Sequence, residues 1–210
     1  MAMTNIDSVT LDVADPTAAH RFYTTAFGLD TQIRLRASEA PTTGFRGFTL
    51  ALTVSQPATV NGLIGAALDA GATTLKPVAK SLWGYSGVVQ APDGTIWKVA
   101  TSAKKDTGPA TRQIDEIVLL LGVADMAASK RFYVERGLAV AKSFGRVYVE
   151  FAAGSSSIKL ALYRRRALAK DLGVAPDGSG AHRLMIGGAA GPFTDPDGFA
   201  WEAASLAATS

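Results

Sequence analysis

The chain has no cysteine among its 210 residues, which excludes disulfides, thiolate zinc sites and cysteine nucleophiles and makes a reducing cytoplasm the expected compartment. No apolar run approaches the roughly 20 residues of a membrane span. The opening stretch Met1 to Asp7 has neither the basic start nor the apolar segment of a secretory leader. A Gly-x-Ser-x-Gly elbow is missing, so an α/β-hydrolase has no support. The glycines of Gly178-Ser179-Gly180 and Gly187-Gly188 lack the lysine and following helix of a phosphate loop. Histidine is limited to His20 and His182, and His20, next to Arg21 in a predicted helix, reads as a surface residue rather than a general acid or base. Charge of one sign is also in short supply. The formal net charge of +3 gives only a weak field. The basic cluster Arg164-Arg165-Arg166 with Lys170 has no aromatic residues interleaved with it, so no nucleic-acid partner is expected.

What the chain does have is a pattern stated twice. Apolar content of 48% against 19% charged places it among soluble globules rather than disordered chains, and its length suits two cores of about 100 residues each. Val13-Ala14-Asp15, Arg21-Phe22-Tyr23 and Gly28-Leu29 return as Val123-Ala124-Asp125, Arg131-Phe132-Tyr133 and Gly137-Leu138. A closing phrase also recurs: Pro92-Asp93-Gly94 followed by Trp97 reappears as Pro196-Asp197-Gly198 followed by Trp201. Such spacing is the mark of a duplicated supersecondary unit.

Each half opens with a strand, Ser8 to Val13 and Ile117 to Leu121, the second continuously apolar and therefore more buried. A helix follows each, with Asp15 or Asp125 as N-cap, Pro16 at the first helical position, and Gly28 or Gly137 at the end. The halves then diverge. The first continues with strands over 32–36 and 48–54, a second helix from Pro57 to Gly71 with the stripe Val60, Leu63, Ile64, Ala67 and Leu68, and strands over 73–78, 87–90 and 96–100, the last two joined by an Asp-Gly turn. The second supplies strands over 139–144, 147–152 and 158–163, a short basic helical excursion, a strand over 182–187, and then the Pro196-Asp197-Gly198 hairpin with no room for a helix before it. Residues 102–112 read as a polar linker with solvated lysines. Each half has lost a different piece of one plan.

This order, strand, Val-Ala-Asp, helix ending Arg-Phe-Tyr, Gly-Leu, further strands, then Pro-Asp-Gly and a tryptophan, resembles the glyoxalase/bleomycin-resistance/extradiol-dioxygenase (vicinal oxygen chelate) superfamily. Trp83-Gly84-Tyr85-Ser86-Gly87 is a further point of resemblance. The resemblance implies an α+β fold of tandem βαβββ modules forming two incomplete glyoxalase-like barrels, with domains at 1–103 and 114–210 joined by a linker at 104–113. It also implies ligand positions. On the first half these fall on Ser8, Phe48 and Lys98, which cannot coordinate a divalent metal. On the second they fall on Glu116, His182 and Glu202, with Ala161 where a fourth ligand is expected. One imidazole and two carboxylates would suit manganese, iron, magnesium or nickel, with Glu202 as the catalytic carboxylate and the metal as Lewis acid on a chelating substrate. In the alternative reading of the same residues, Glu202 faces solvent or pairs with Arg183, and His182 terminates a loop.

Two functions remain open at this point. In the first, the protein binds a small organic ligand in an apolar, aromatic pocket near Trp83, Tyr85, Tyr148 and Trp201, with no cofactor and no metal in the first half. In the second, it is a metal-dependent lyase, isomerase or dioxygenase acting through Glu116, His182 and Glu202. Four-ligand lactoylglutathione chemistry is not expected, because Ala161 removes one ligand. A small-molecule ligand is the expected partner. Incomplete sheets leave edges that a homodimer would cover, and no membrane partner is expected.

Overall fold

Both repeats begin where Val-Ala-Asp ends a strand and caps a helix. In this computed structural model, which describes residues 6–154 and 156–203, β1 (Ile6–Val13) leads into α1 (Pro16–Phe27). Residues 1–5 and 204–210, including most of the stretch read for a leader and the outer ends of both expected domains, lie outside the described residues. The Asp15 carboxylate accepts the Ala18 N–H at 2.9 Å. Gly28, at φ 70°, closes the helix in a left-handed conformation that costs glycine little. There follow β2 (Arg34–Ala37), β3 (Thr42–Gly44), β4 (Phe48–Thr53), α2 (Pro57–Asp69), β5 (Thr73–Ser81), β6 (Gly84–Gln90) and β7 (Ile96–Thr101). The second half runs β8 (Glu116–Val123), α3 (Met126–Glu135), β9 (Val140–Phe144), β10 (Tyr148–Phe151), β11 (Ile158–Arg164), α4 (Arg165–Leu172), β12 (Gly178–Gly180), β13 (Leu184–Gly188), β14 (Phe193–Thr194) and β15 (Ala200–Ala203). Asp125 caps α3 as Asp15 caps α1, accepting from the Ala127 and Ala128 N–H groups.

Neither sheet belongs to one half. The larger has eight strands in the order β5-β6-β7-β4-β8-β11-β10-β9. It contains two complete βαβββ modules, β4 to β7 with α2 and β8 to β11 with α3, joined along the antiparallel pair β4–β8. The smaller has the order β14-β15-β13-β1-β2. It joins two truncated modules along the antiparallel pair β1–β13: one keeps α1 but only two strands of this sheet, and the other has no helix between β13 and β14. Neither sheet closes into a barrel. A two-stranded ribbon, β3 with β12, ties the halves together a third time. The edges β5 and β9 of the larger sheet carry Lys76, Lys80 and Lys142, charges of the kind that discourage strand addition.

Strand alternation divides the interior into two layers. Ile117, Leu119, Leu121 and Val123 of β8 join Leu50 and Leu52 of β4, Val9 and Leu11 of β1, and the buried faces of α1, α2 and α3 in one core between the sheets. Val118 and Leu120, on the opposite face of β8, form a second cluster with Ala51, Ala161 and the α4 residues Leu168, Ala169 and Leu172. The expected stripe on α2 is buried except for Leu68, which is 38% exposed.

The repeated Arg-Phe-Tyr and Pro-Asp-Gly phrases meet in space. Tyr23 Oη donates to Asp93 Oδ2 in the first half, and Tyr133 Oη donates to Asp195 Oδ2 at 2.6 Å in the second. The contact is shifted by two residues in the second half, where Asp197 instead accepts from the Ser129 hydroxyl and the Ala124 N–H. Helix and hairpin are thus pinned together in both copies.

The stretch read as a solvated linker is held in place, although its lysines are exposed. Buried Gln56 accepts from the Thr107 and Gly108 N–H groups at 2.8 and 3.1 Å and donates to the Pro109 carbonyl at 2.7 Å. Asp106 accepts the Ala58 N–H at 2.6 Å, capping α2 from a distance in sequence. Gln56→Ala removes these partners and leaves linker amides to water, so it is expected to lower stability by about 2 kcal/mol and to speed amide exchange at Thr107 and Gly108. Unchanged exchange at those two amides would show that Gln56 does not hold the linker.

Candidate functional site

The outer face of the eight-stranded sheet is a trough, and α4 lies along its middle. Leu168, Ala169 and Leu172 recur at helical spacing and are fully buried against Ala51, Val118, Leu120 and Ala161. Gly173, at φ 77°, ends the helix. The helix splits the trough into two unlike parts.

On the β5–β6–β7 side there is a cavity of about 450 Å³ lined by Lys76, Lys80, Trp83, Ser86, Lys98 and Asp171, among others. Alternation along β7 places Lys98 on this face, and its Nζ reaches Asp171 of α4 at 2.6 Å. Lys76 donates to the carbonyl oxygens of Lys170 and Asp171 at 3.2 and 2.8 Å, a favourable place for a cation because the last carbonyls of a helix carry partial negative charge. Lys80 is exposed. Three lysines therefore face one carboxylate. Trp83, 85% exposed, stands at the tip of the β5–β6 hairpin. The following Gly84 is required there: a Cβ at that position would meet the Thr101 carbonyl oxygen at 2.0 Å, and its φ is 132°.

On the β8–β11–β10–β9 side the trough is lined by a chain of paired charges. Lys159 Nζ lies 2.5 Å from Glu116 and 3.8 Å from Glu150, and Lys142 reaches Glu150 at 3.6 Å. Tyr148 donates its hydroxyl to Glu150 at 2.8 Å. Burial, reinforced by that hydrogen bond and the Glu150 charge, pushes the Tyr148 phenol well above its ordinary range, so it remains a donor. Every carboxylate here already has a cation or hydroxyl partner.

The residues expected to hold a metal are not brought together. Glu116 is in the eight-stranded sheet, paired with Lys159, whereas His182 and Glu202 belong to the five-stranded sheet and its approach. His182 directs Nδ1 at the Arg46 carbonyl, 2.6 Å away, and Nε2 at the Asp197 carbonyl, 3.2 Å away, and its ring stacks on Phe199 at 4.1 Å. Both ring nitrogens are thus turned to backbone oxygens, as in the loop-terminating reading. Glu202 lies opposite Gly187 and adds its field to that of Asp12, whose hydrogen bonds raise the Arg36 pKa. Arg183, considered as its partner, donates instead to the Ala40 carbonyl. Among the described residues, no three histidine or carboxylate side chains are placed to hold a metal ion. The donor set does not fit the expected group, and the reason is topological: the triad supposed that modules pair within a half, but they pair across halves.

The expected ligand-binding aromatics also separate. Trp83 lines the cavity. Tyr85 borders it but donates its hydroxyl to Asn61 of α2 at 2.8 Å, on the other side of the sheet. Tyr148 lies in the paired-charge half. Trp201 is a core residue, 3% exposed, stacked on Phe193 at 5.0 Å and donating to Tyr133 Oη at 3.3 Å. Of the positions carried over onto the first half, Phe48 is in the inter-sheet core, and only Lys98 reaches the trough. His20 is a surface residue as expected, with Nε2 2.8 Å from Asp30. The sequence reading missed Lys76, Lys80 and Asp171. Two lysines on an exposed edge strand read as solubilising charges, and nothing local places α4 against them.

No family model matches the chain, and no curated protein does. Solved structures do. A glyoxalase I point mutant from Zea mays aligns over 95% of this chain and 92% of its own, with 15% identity and a TM-score of 0.59. Glyoxalase I from the same organism aligns over 88% and 74%, with 14% identity and a TM-score of 0.58. The chain shares the fold of these glyoxalase I structures, as the resemblance of its motifs implied. At these identities the likeness is one of fold, which does not by itself carry an activity. Among the described residues, no helix is long and apolar enough to cross a membrane.

Proposed function

We propose that the protein binds a small organic anion with a flat apolar part in the cavity between α4 and the β5–β6 hairpin. The observation behind this reading is the lining of that cavity: Lys76, Lys80 and Lys98 against the single carboxylate of Asp171, with Trp83 at its mouth. Its volume, about 450 Å³, is in the range that holds a small ligand. Lysine ammonium groups favour an anionic head, and an exposed indole offers a face for a ring. Recognition is favoured over the metal-dependent reading because Glu116 is paired with Lys159 and lies on a different sheet from Glu202.

Calorimetric titration with 2-naphthoate and with its neutral counterpart 2-naphthamide tests this. The naphthoate is expected to bind saturably and the amide about tenfold more weakly or worse, since each charge contact at a half-exposed site contributes about 1 kcal/mol. Lys80→Met and Trp83→Ala alter exposed side chains, so the fold should survive, and each is expected to weaken naphthoate by about five- to tenfold. Equal affinity for acid and amide, or naphthoate binding indifferent to both substitutions, would refute the proposal.

A further inference from the structure

Lys98 and Asp171 line the cavity of about 450 Å³ as a pair, one from the sheet and one from α4. Lys98 Nζ and Asp171 Oδ2 are 2.6 Å apart, and the two side chains keep 20% and 32% of their surface exposed. Neither fills the hydrogen-bonding capacity of the other. An ammonium has three donors and a carboxylate about four acceptor sites, and this contact uses one of each. Among the described residues, Lys98 Nζ and Asp171 Oδ1 make no further hydrogen bond. The carboxylate is also held in position. Lys76 fastens the carbonyl oxygens of Lys170 and Asp171, and the adjacent Leu172 is fully buried. A positive and a negative group therefore stand side by side in the cavity lining, fixed in place, with donors and acceptors to spare.

That arrangement is the complement of a zwitterion. In an α-amino acid the ammonium and the carboxylate are neighbours on one carbon, so such a head can set its carboxylate against Lys98 and its ammonium against Asp171 at once. A simple acid meets only the lysine and brings its charge up against the Asp171 carboxylate, and like charges repel. Because the pair is partly exposed, the desolvation penalty that weighs on a fully buried ion pair is only partly incurred.

The strands beneath set the length of what the head carries. Val88 lies opposite Lys98 and Ser86 opposite Ala100, and alternation puts Gly84, Ser86 and Val88 on one face of β6. Four residues separate Val88 from Gly84, a span of roughly 13 Å. The small side chains of Ser86 and Ala100 line the way from Lys98 to the hairpin tip, where Trp83 stands.

We propose that the ligand of this cavity is an α-amino acid with a long aromatic side chain, its head paired against Lys98 and Asp171 and its terminal ring against Trp83. The inference rests on the anion-binding reading above and deepens it: the carboxylate recognised there carries an ammonium beside it.

Calorimetric titration with O-benzyl-L-tyrosine, an elongated amino acid with two rings in line, and with 3-(4-benzyloxyphenyl)propanoate, which lacks only the ammonium, tests this. The amino acid is expected to bind about fivefold more tightly, the worth of one charge contact at a half-exposed site. Asp171→Asn keeps the shape and removes the charge. It is expected to reverse the order, weakening the amino acid about fivefold and tightening the propanoate, whose repulsion by the carboxylate is gone. Should that variant fail to fold, the comparison of the two compounds on the unaltered protein still decides. 2-Naphthoate separates this inference from the reading beneath it. Naphthoate binding with no advantage of the amino acid over the propanoate overturns the inference and leaves the anion reading standing. No saturable binding of any of the three compounds overturns both. An Asp171→Asn variant that folds and keeps the full preference for the amino acid also overturns the inference.

Discussion

Replacing Leu168 and Leu172 together by serine is expected to release α4 from the trough of the eight-stranded sheet. Both leucines are fully buried, and each truncation removes about 2–5 kcal/mol of packing even before a hydroxyl is placed in an apolar layer. Eight residues of helix cannot hold themselves in water, since isolated helices of that length are marginal, so the loss falls on docking rather than on the sheet. The strands beneath keep their ladders and their other face, which belongs to the inter-sheet core. The variant should therefore stay folded, bind anilinonaphthalene sulfonate strongly where Val118, Leu120 and Ala161 become wet, and lose amide protection at Ala169 to Leu172. It should also lose naphthoate binding, because α4 forms one wall of that cavity through Asp171. Full protection of α4 in the double variant would show that something other than these leucines holds the helix down.

Asp195→Ala is expected to cost about 3–4 kcal/mol. The carboxylate is 5% exposed and accepts from Tyr133 Oη at 2.6 Å and from the Asp197 and Phe199 N–H groups at 3.0 and 2.8 Å. Truncation strands three donors, each worth about 1 kcal/mol or more when left unsatisfied, while relieving the cost of burying the charge. That cost is visible in the titration: burial raises the Asp195 pKa, with the Tyr133 and Phe199 hydrogen bonds opposing it. A carboxyl whose folded pKa lies above its unfolded value, about 3.9, binds its proton more tightly in the native state. Its contribution to stability is then full below the unfolded pKa and is lost as pH rises through the folded one. Chemical denaturation should accordingly show wild type gaining on Asp195→Asn as pH falls through the folded pKa, and levelling below about 4. A difference between the two that is flat with pH, or an alanine variant as stable as wild type, would contradict this account.

The parts of the fold legible from the letters are those governed by neighbours a few residues apart. Asp15 and Asp125 cap helices because a short carboxylate reaches an amide three residues on, wherever the helix is later placed. Gly28 ends one because a left-handed residue does so without strain. The continuous apolar run over Ile117 to Leu121 marked a more buried strand, and β8 lies between the inter-sheet core and α4. The candidate site was less legible. Trp83 was named as a ligand-lining residue and Lys98 only as a position that cannot hold a metal, and Lys98, Asp171 and Lys76 gain meaning only once α4 lies against β5 and β7. Trp201 was placed among the ligand-lining aromatics, yet it packs on Phe193 and on Tyr133, a residue 68 positions away in sequence.

The βαβββ module was what the family resemblance implied; the amino-acid sequence alone determined that the chain contains a duplicated plan, that each copy opens strand, helix, strand, and that each is trimmed in a different place. Those are matters of periodicity, capping and turn chemistry, which act locally. Only the tertiary structure decided which module faces which. An open strand edge offers the same backbone donors and acceptors to any partner, so the choice of β4 for β8 and of β1 for β13 rests on burying two sheets against one shared core. That choice put Glu116 on one sheet and His182 and Glu202 on the other, and it set three lysines around a hollow beside Trp83.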